Sequence, residues 1–153
     1  MPSELRFRNL DASPDDPVET WPFEGVLAAL ENGTLPDWRR LICSIDSDPW
    51  GVVAREVEDA LRLALPYGVG ALFVEAITQA RARAVAREQQ AVAAEIRDLV
   101  ARSGLSRAEF AERIGTSASR LSTYLSGKVT PSASLLVRMQ HLVQRTTAGV
   151  QTR

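Results

Sequence analysis

The stretch Gly104–Ser132, GLSRAEFAERIGTSASRLSTYLSGKVTPS, sets two short helical patterns between breakers and opens a third in under thirty residues. Ser106 stands three residues before Glu109, the signature of a capping box, in which a hydroxyl and a carboxylate satisfy each other's helix-start N–H groups. The pattern RAEFAERI then runs to Gly115, a helix-ending residue because glycine adopts the left-handed conformation at no steric cost. Ser117 caps a second pattern, ASRLSTYLS, which Gly127 ends. Leu121, Tyr124 and Leu125, spaced three and four apart, form one inward stripe. Ala118, Ser119, Ser122 and Thr123 fall on the outward side. Thr130-Pro131 opens a further helix carrying Leu135, Leu136, Met139 and Leu142.

A core-filling helix would be longer and its outer face more charged. Two short helices joined by a tight turn, the second small and polar on its outside, form the helix-turn-helix arrangement. The major groove admits one α-helix, and acidic side chains on it would be repelled by phosphate. Short hydroxyl and methyl side chains permit close approach, and Ser or Thr can donate, accept or touch a thymine methyl. The helices are short because each spans one layer of a bundle around Phe110, Ile114, Leu121 and Tyr124.

Through GLSRAEFAERIG, TSASRLSTYLSGK and TPSASLLVRM, with the usual lengths between them, Glu95 to Val143 resembles the Cro/phage-repressor type of helix-turn-helix, the XRE family. The resemblance covers about a third of the chain and implies double-stranded DNA as partner. By position it implies phosphate contacts from Arg107, Ser117 and Lys128. It implies base reading by Ala118, Ser119, Ser122, Thr123 and Arg120, with Ala118, Ser119 and Thr123 foremost and Arg120 within reach of either a base or a phosphate. Several phage repressors pair an arginine on the first helix with a glutamate at the end of the reading helix. Here Val100 and Leu125 hold those positions, so an apolar contact is expected there, a replacement that is often neutral or stabilising. Gln and Asn, which read adenine well, are absent from the reading face.

The charge distribution agrees with a basic partner-binding end. The 153 residues carry a net charge of −1, but residues 1–94 hold 9 Lys+Arg against 15 Asp+Glu, whereas residues 95–153 hold 9 against 4. No acidic residue follows Glu112. Halves of opposite sign suggest modules with different partners, although a basic face can also be merely solvated.

Residues 1–20, with the Pro- and Asp-rich ASPDDPVE, read as an extended or disordered arm. A helical module over 21–80 follows. FEGVLAALENG begins after Pro22 and stops at Asn32-Gly33. PDWRRLICSID places Trp38, Leu41, Ile42 and Ile45 at helical spacing and ends at Asp48-Pro49. WGVVAREVEDALRLAL sets Val53, Val57, Leu61 and Leu65 on one face, before a breaker at Pro66-Tyr67-Gly68. The pattern from Val69 to Gly104 is long. Its middle is rich in Ala, Arg, Glu and Gln, which form helix well but bury little, so 81–94 is expected to be an exposed connecting helix with a break near Glu88–Gln90. Residues 95–145 form the DNA-binding domain and 146–153 a flexible tail. The expected fold is all-α: a helical N-terminal module joined by a long helix to a compact helix-turn-helix bundle.

Other signals are weaker. Cys43, the single cysteine, is expected to be a buried small apolar residue on the stripe with Trp38, Leu41 and Ile45, since it can form neither an internal disulfide nor, alone, a zinc site. Trp21, Trp38 and Trp50 are expected in the N-terminal core, with a ligand pocket or partner surface as the other reading. His141 has no second histidine, cysteine pair or carboxylate cluster with which to build a metal site or triad, and no glycine-rich phosphate loop occurs. Neither enzyme activity nor a cofactor or metal is expected. The N-terminus lacks a signal peptide's apolar region and no run of about eighteen apolar residues exists, so a soluble, cytoplasmic, nucleoid-associated protein is expected.

These readings point to a bacterial transcriptional regulator binding DNA as a homodimer. Its N-terminal module would dimerise, bind a protein partner or sense a small-molecule effector. An antitoxin whose acidic module masks a basic toxin while its other end autoregulates is an alternative, and a non-specific adaptor or structural protein is a third.

Overall fold

A computed structural model describes residues 4–63 and 68–150. Among them are seven α-helices and one 3-10 turn, Val18–Thr20, with no strand. The helices are α1 (Phe23–Asn32), α2 (Leu35–Ser47), α3 (Val52–Leu63), α4 (Val69–Ser103), α5 (Arg107–Ile114), α6 (Ala118–Leu125) and α7 (Ala133–Val150). The fold is all-α, with the short helices at its C-terminal end. Contacts divide the chain into two units, residues 1–84 and 85–153. Leu65 and the Pro66-Tyr67 part of the expected breaker lie outside the described residues.

The first unit forms where local caps and apolar spacing agree. Thr34 and Asp37 close a capping box at the start of α2, the Thr34 N–H donating to Asp37 Oδ2 at 2.9 Å. On α2, Leu41 and Ile45 are fully buried four residues apart, and α3 buries Val53, Val57 and Leu61 on the predicted face. These pack with Val26, Ala29 and Leu30 of α1 and Phe73, Ile77 and Ala80 of α4 in one apolar cluster. Arg81 of α4 forks onto Glu58 of α3 at 2.7 and 3.1 Å, while its Nε donates to the Pro49 carbonyl at 3.0 Å.

The N-terminal segment departs from the expected arm. Leu5 and Val18 are buried in this cluster, and Phe7 packs against it. Trp21 is the anchor. Its Nε1 donates to the Ser13 carbonyl at 3.1 Å, and its ring meets Phe7 edge-on at 5.1 Å. Arg40 lies 5.0 Å over the same ring and donates to the Pro14 and Asp16 carbonyls. The stretch ASPDDPVE is rich in proline and aspartate, but Leu5, Phe7, Val18 and the Trp21 indole, with the Arg40 hydrogen bonds, hold the backbone down.

Two side chains expected in the core lie elsewhere. Cys43 is exposed, because the buried stripe of α2 runs through Asp37, Leu41 and Ile45, and Cys43 projects between successive members of it. Trp50, in the bend before α3, is 48% exposed, whereas Trp21 is buried and Trp38 packs half-buried on the cluster. Helix α4 has no break near Glu88–Gln90. Residues 85–91 are all exposed, yet the run contains neither glycine nor proline and its Ala, Arg, Glu and Gln content sustains the helix.

In the second unit, Ile96 and Leu99 of α4 pack with Phe110, Ala111 and Ile114 of α5, Leu121, Tyr124 and Leu125 of α6, and Met139, Leu142 and Val143 of α7. Residues 146–150, expected as part of a tail, continue α7 instead.

The two packing assignments give opposite expectations for substitution. Leu121→Ala, at a fully buried position, should cost about 2–5 kcal/mol through the cavity it leaves. Cys43→Ser should change stability by less than about 0.5 kcal/mol, as is usual for surface positions. Urea denaturation followed by far-UV circular dichroism measures both.

Candidate nucleic-acid interface

The turn between α5 and α6 is built almost wholly from local hydrogen bonds. At the start of α5, Ser106 Oγ accepts the Glu109 N–H at 3.2 Å, and Glu109 Oε2 accepts the Ser106 N–H at 2.9 Å and its hydroxyl at 2.7 Å. Gly115 ends the helix at φ 79°, in the left-handed region where a side chain would be strained. The Gly115 and Thr116 N–H groups return to the Glu112 and Ala111 carbonyls. Ser117 then starts α6, its Oγ accepting the Arg120 N–H at 3.1 Å.

Burial fixes the rotation of α6. Leu121, Tyr124 and Leu125 face inward, while Ala118, Ser119, Arg120 and Ser122 are exposed. Thr123 is half-buried, and its hydroxyl donates to the Arg120 carbonyl at 2.6 Å, leaving oxygen lone pairs to accept. Ser119 and Thr123, four apart, lie on one side. Arg120 sits a quarter-turn away, on the Tyr124 side. With Thr116, Thr130, Ser132, Ser134 and Arg138 it lines a cavity of about 360 Å³ between the turn, α6 and the start of α7.

The charged ends of the site differ in their engagement. Arg107 opens α5 and Lys128 follows α6; both are exposed, and neither side chain makes a hydrogen bond or ion pair among the described residues. Arg97 and Arg138 are engaged. Arg138 Nη1 of α7 donates at 2.8 Å to the carbonyl of Ile114, the last residue of α5, and Arg97 Nη1 of α4 donates at 2.6 Å to that of Leu125, the last residue of α6. Val100 and Leu125 belong to the same apolar cluster.

Sequence reasoning placed Ala118, Ser119, Ser122 and Thr123 together on one helix. It did not find the grouping of Arg120 with Thr116, Thr130, Ser132 and Ser134, which depends on the return of the chain into α7. The hydroxyl-rich run after Lys128, with Ser132 Oγ accepting the Leu135 N–H at 3.2 Å, was the available signal. The carbonyl contacts of Arg97 and Arg138 had none. His141 is exposed, and no group of metal-ligating residues occurs among the described residues.

Residues 91–150 match the family model of the helix-turn-helix domain, a family of the Cro/XRE kind. No curated protein and no solved structure matches the chain. The matched segment takes in the last turns of α4 and all of α5, α6 and α7, so the paired short helices belong to a DNA-binding domain. That domain supports a DNA-binding regulator in general, from a family that is typically non-enzymatic. No helix among the described residues is long and apolar enough to cross a membrane.

The capping box makes the start of α5 sensitive to acid. The Ser106 hydroxyl, and after it the Ser106 backbone N–H, lower the Glu109 carboxyl below its ordinary 4.5. A depressed carboxylate stabilises the fold fully above its unfolded value, and the contribution is lost as pH falls through the native one. The Tm advantage of the wild type over Glu109→Ala should therefore be constant near neutral pH and shrink below about pH 4.5. Melting curves across that range check the sign.

Proposed function

We propose that the protein is a sequence-specific transcriptional regulator that lays α6 in the major groove of duplex DNA. The observation that carries this reading is the outward face of α6: small, hydroxyl-rich and free of acid, with the unpartnered Arg107 and Lys128 at the ends of the motif. A cation at the N-terminus of its own helix gains nothing from the helix dipole, which favours anions there. Arg107 is therefore better explained by a phosphate, for which its guanidinium is a donor.

In this reading Ser119 and Thr123 reach base edges, with Ala118 and Ser122 beside them. Arg107, Ser117 and Lys128 hold phosphates. Arg120, on the cavity side of α6 with three hydroxyls from the approach to α7, is assigned to phosphate in preference to a base. The reading domain spans about residues 95–145. Residues 21–80 form a module for dimerisation, a protein partner or an effector, and residues 81–94 connect the two. A single reading helix with so few long polar side chains reads little sequence, so two copies are expected on a pseudo-palindromic site with half-sites about one helical turn apart.

Selection of bound sequences from a random duplex library tests the proposal as a whole: enrichment of a two-fold-related motif supports it, and retention without enrichment would sink it. Arg107→Ala and Lys128→Ala should each weaken binding to all duplexes alike and reduce the salt-dependence slope by about one unit. A changed sequence preference at undiminished affinity would contradict the phosphate assignment.

Ser119→Ala and Thr123→Ala should instead cost about 1–3 kcal/mol per lost base contact on the selected site, with little change on scrambled DNA. Titrations on both duplexes, alongside thermal melts, separate this outcome from unfolding. A Thr123→Ala variant that melts early but reads its site normally would mean that the hydroxyl serves only the helix. Light scattering should give a dimer on the selected site, and a monomer both free and bound would exclude the pairing.

A further inference from the structure

The last carbonyls of a helix have no partner within it and must find one elsewhere. On α6 the chain supplies most of them itself. The Ser126 N–H returns to the Ser122 carbonyl, Gly127 N–H to Tyr124 and Val129 N–H to Thr123. The carbonyl of Leu125 is taken by the guanidinium of Arg97, which lies six residues before the end of α4, and the contact joins two helices that are otherwise held together by non-directional apolar packing. Arg97 makes no other hydrogen bond or ion pair among the described residues; the neighbouring Asp98 is engaged by Arg102 at 2.7 Å.

A second contact falls on the same face of α4. Gln90, seven residues before Arg97, packs against Gly127 just beyond α6, so closely that a Cβ on Gly127 would come within 2.6 Å of Gln90 Nε2. Gly127 is held at φ 79°. The C-terminal end of α6 is thus gripped by α4 at two points, while its N-terminal end is capped by Ser117 Oγ, which accepts the Arg120 N–H.

We infer that Arg97 is a positioning residue for DNA reading: its hydrogen bond to the Leu125 carbonyl sets the orientation of α6, and hence of Ser119 and Thr123, without Arg97 itself touching the duplex. This rests on the reading of α6 as the groove helix. The apolar side chains Leu121, Tyr124 and Leu125 determine which face of α6 is inward, but such contacts tolerate small rotations and tilts. A single charge-assisted bond at the end of an eight-residue helix is directional and removes that freedom. Base contacts demand it, since they depend on hydrogen-bond geometry, whereas long phosphate-binding side chains can adjust.

The test uses the full-length protein carrying Arg97→Met, which keeps an apolar stem but removes the donor, and Arg97→Lys, which restores one. Only Nη1 makes the contact, so an ammonium can replace it. With the library-selected duplex and a scrambled one, Arg97→Met should bind the selected site about tenfold more weakly and the scrambled one as the wild type does. The salt slope should be unchanged, and Arg97→Lys should recover most of the loss. Equal weakening on both duplexes with a slope reduced by about one unit would make Arg97 a phosphate contact and overturn the inference. So would a variant that melts earlier but, below its melting range, reads the site like the wild type. If the wild type enriches no sequence, the reading of α6 fails and the inference with it; if it enriches a site that Arg97→Met reads unchanged, the inference alone fails.

Discussion

An α-helix of eight residues cannot stand alone in water. Nucleation is costly, isolated helices below about 12–15 residues are marginal, and two turns offer few internal bonds in return. Helix α6 exists because neighbours hold it, and almost every feature of the second unit follows from that requirement. Three of its eight residues are spent on the core, Leu121, Tyr124 and Leu125. Its first turn is capped by Ser117 and its last carbonyl by Arg97. What remains is a face of small side chains free to meet something else. Shortness and an open face are two sides of one arrangement: a longer helix would need a longer buried stripe.

The same arrangement sorts the positive charge of the C-terminal half. Its excess of 9 Lys+Arg over 4 Asp+Glu is not a uniform basic surface. Arg97 and Arg138 are committed to helix-terminal carbonyls, where the helix dipole favours a cation, and Arg102 to Asp98. Arg107, Arg120 and Lys128 have no side-chain partner among the described residues, and they lie on or beside the paired short helices. Glu109, the acid that would stand nearest to Arg107 along the chain, has its carboxylate turned onto Ser106 by the capping box. A local folding device thus also draws a negative charge toward the helix start.

The sequence revealed most where structure is decided within a few residues. The Ser106–Glu109 box, the glycine stop at Gly115, the Ser117 cap and the Leu121/Tyr124/Leu125 stripe are short-range patterns, and all stand where the spacing placed them. What failed depends on contacts distant in sequence. The segment before Trp21 is held by Arg40 of α2 and the ring of Phe7, which its composition could not show. Cys43 was misplaced because a helical stripe with several candidate apolar residues has more than one possible register, and Asp37, an unlikely core residue by type, belongs to the buried one through its capping role. At the candidate site, hydroxyls on one helix were legible from period alone, whereas the cavity around Arg120 needs α7 to be folded back beside the turn.

On the proposed reading, the chemistry of the outward face of α6 limits how sharply it can discriminate between bases. Bidentate pairing, in which arginine meets guanine or asparagine and glutamine meet adenine, is the strongest source of base identity, at about 1–3 kcal/mol per pair. Ala118, Ser119, Ser122 and Thr123 supply no bidentate side chain, and Arg120 is turned toward the cavity. Hydroxyls can serve as donor or acceptor, so each discriminates less sharply than a fixed fork, and methyl groups distinguish chiefly thymine. If such a face reads DNA as proposed, its specificity depends on accurate placement more than on the strength of any one contact. On the proposed reading, accurate placement falls on parts of the protein that need not touch a base, above all the contacts that orient α6.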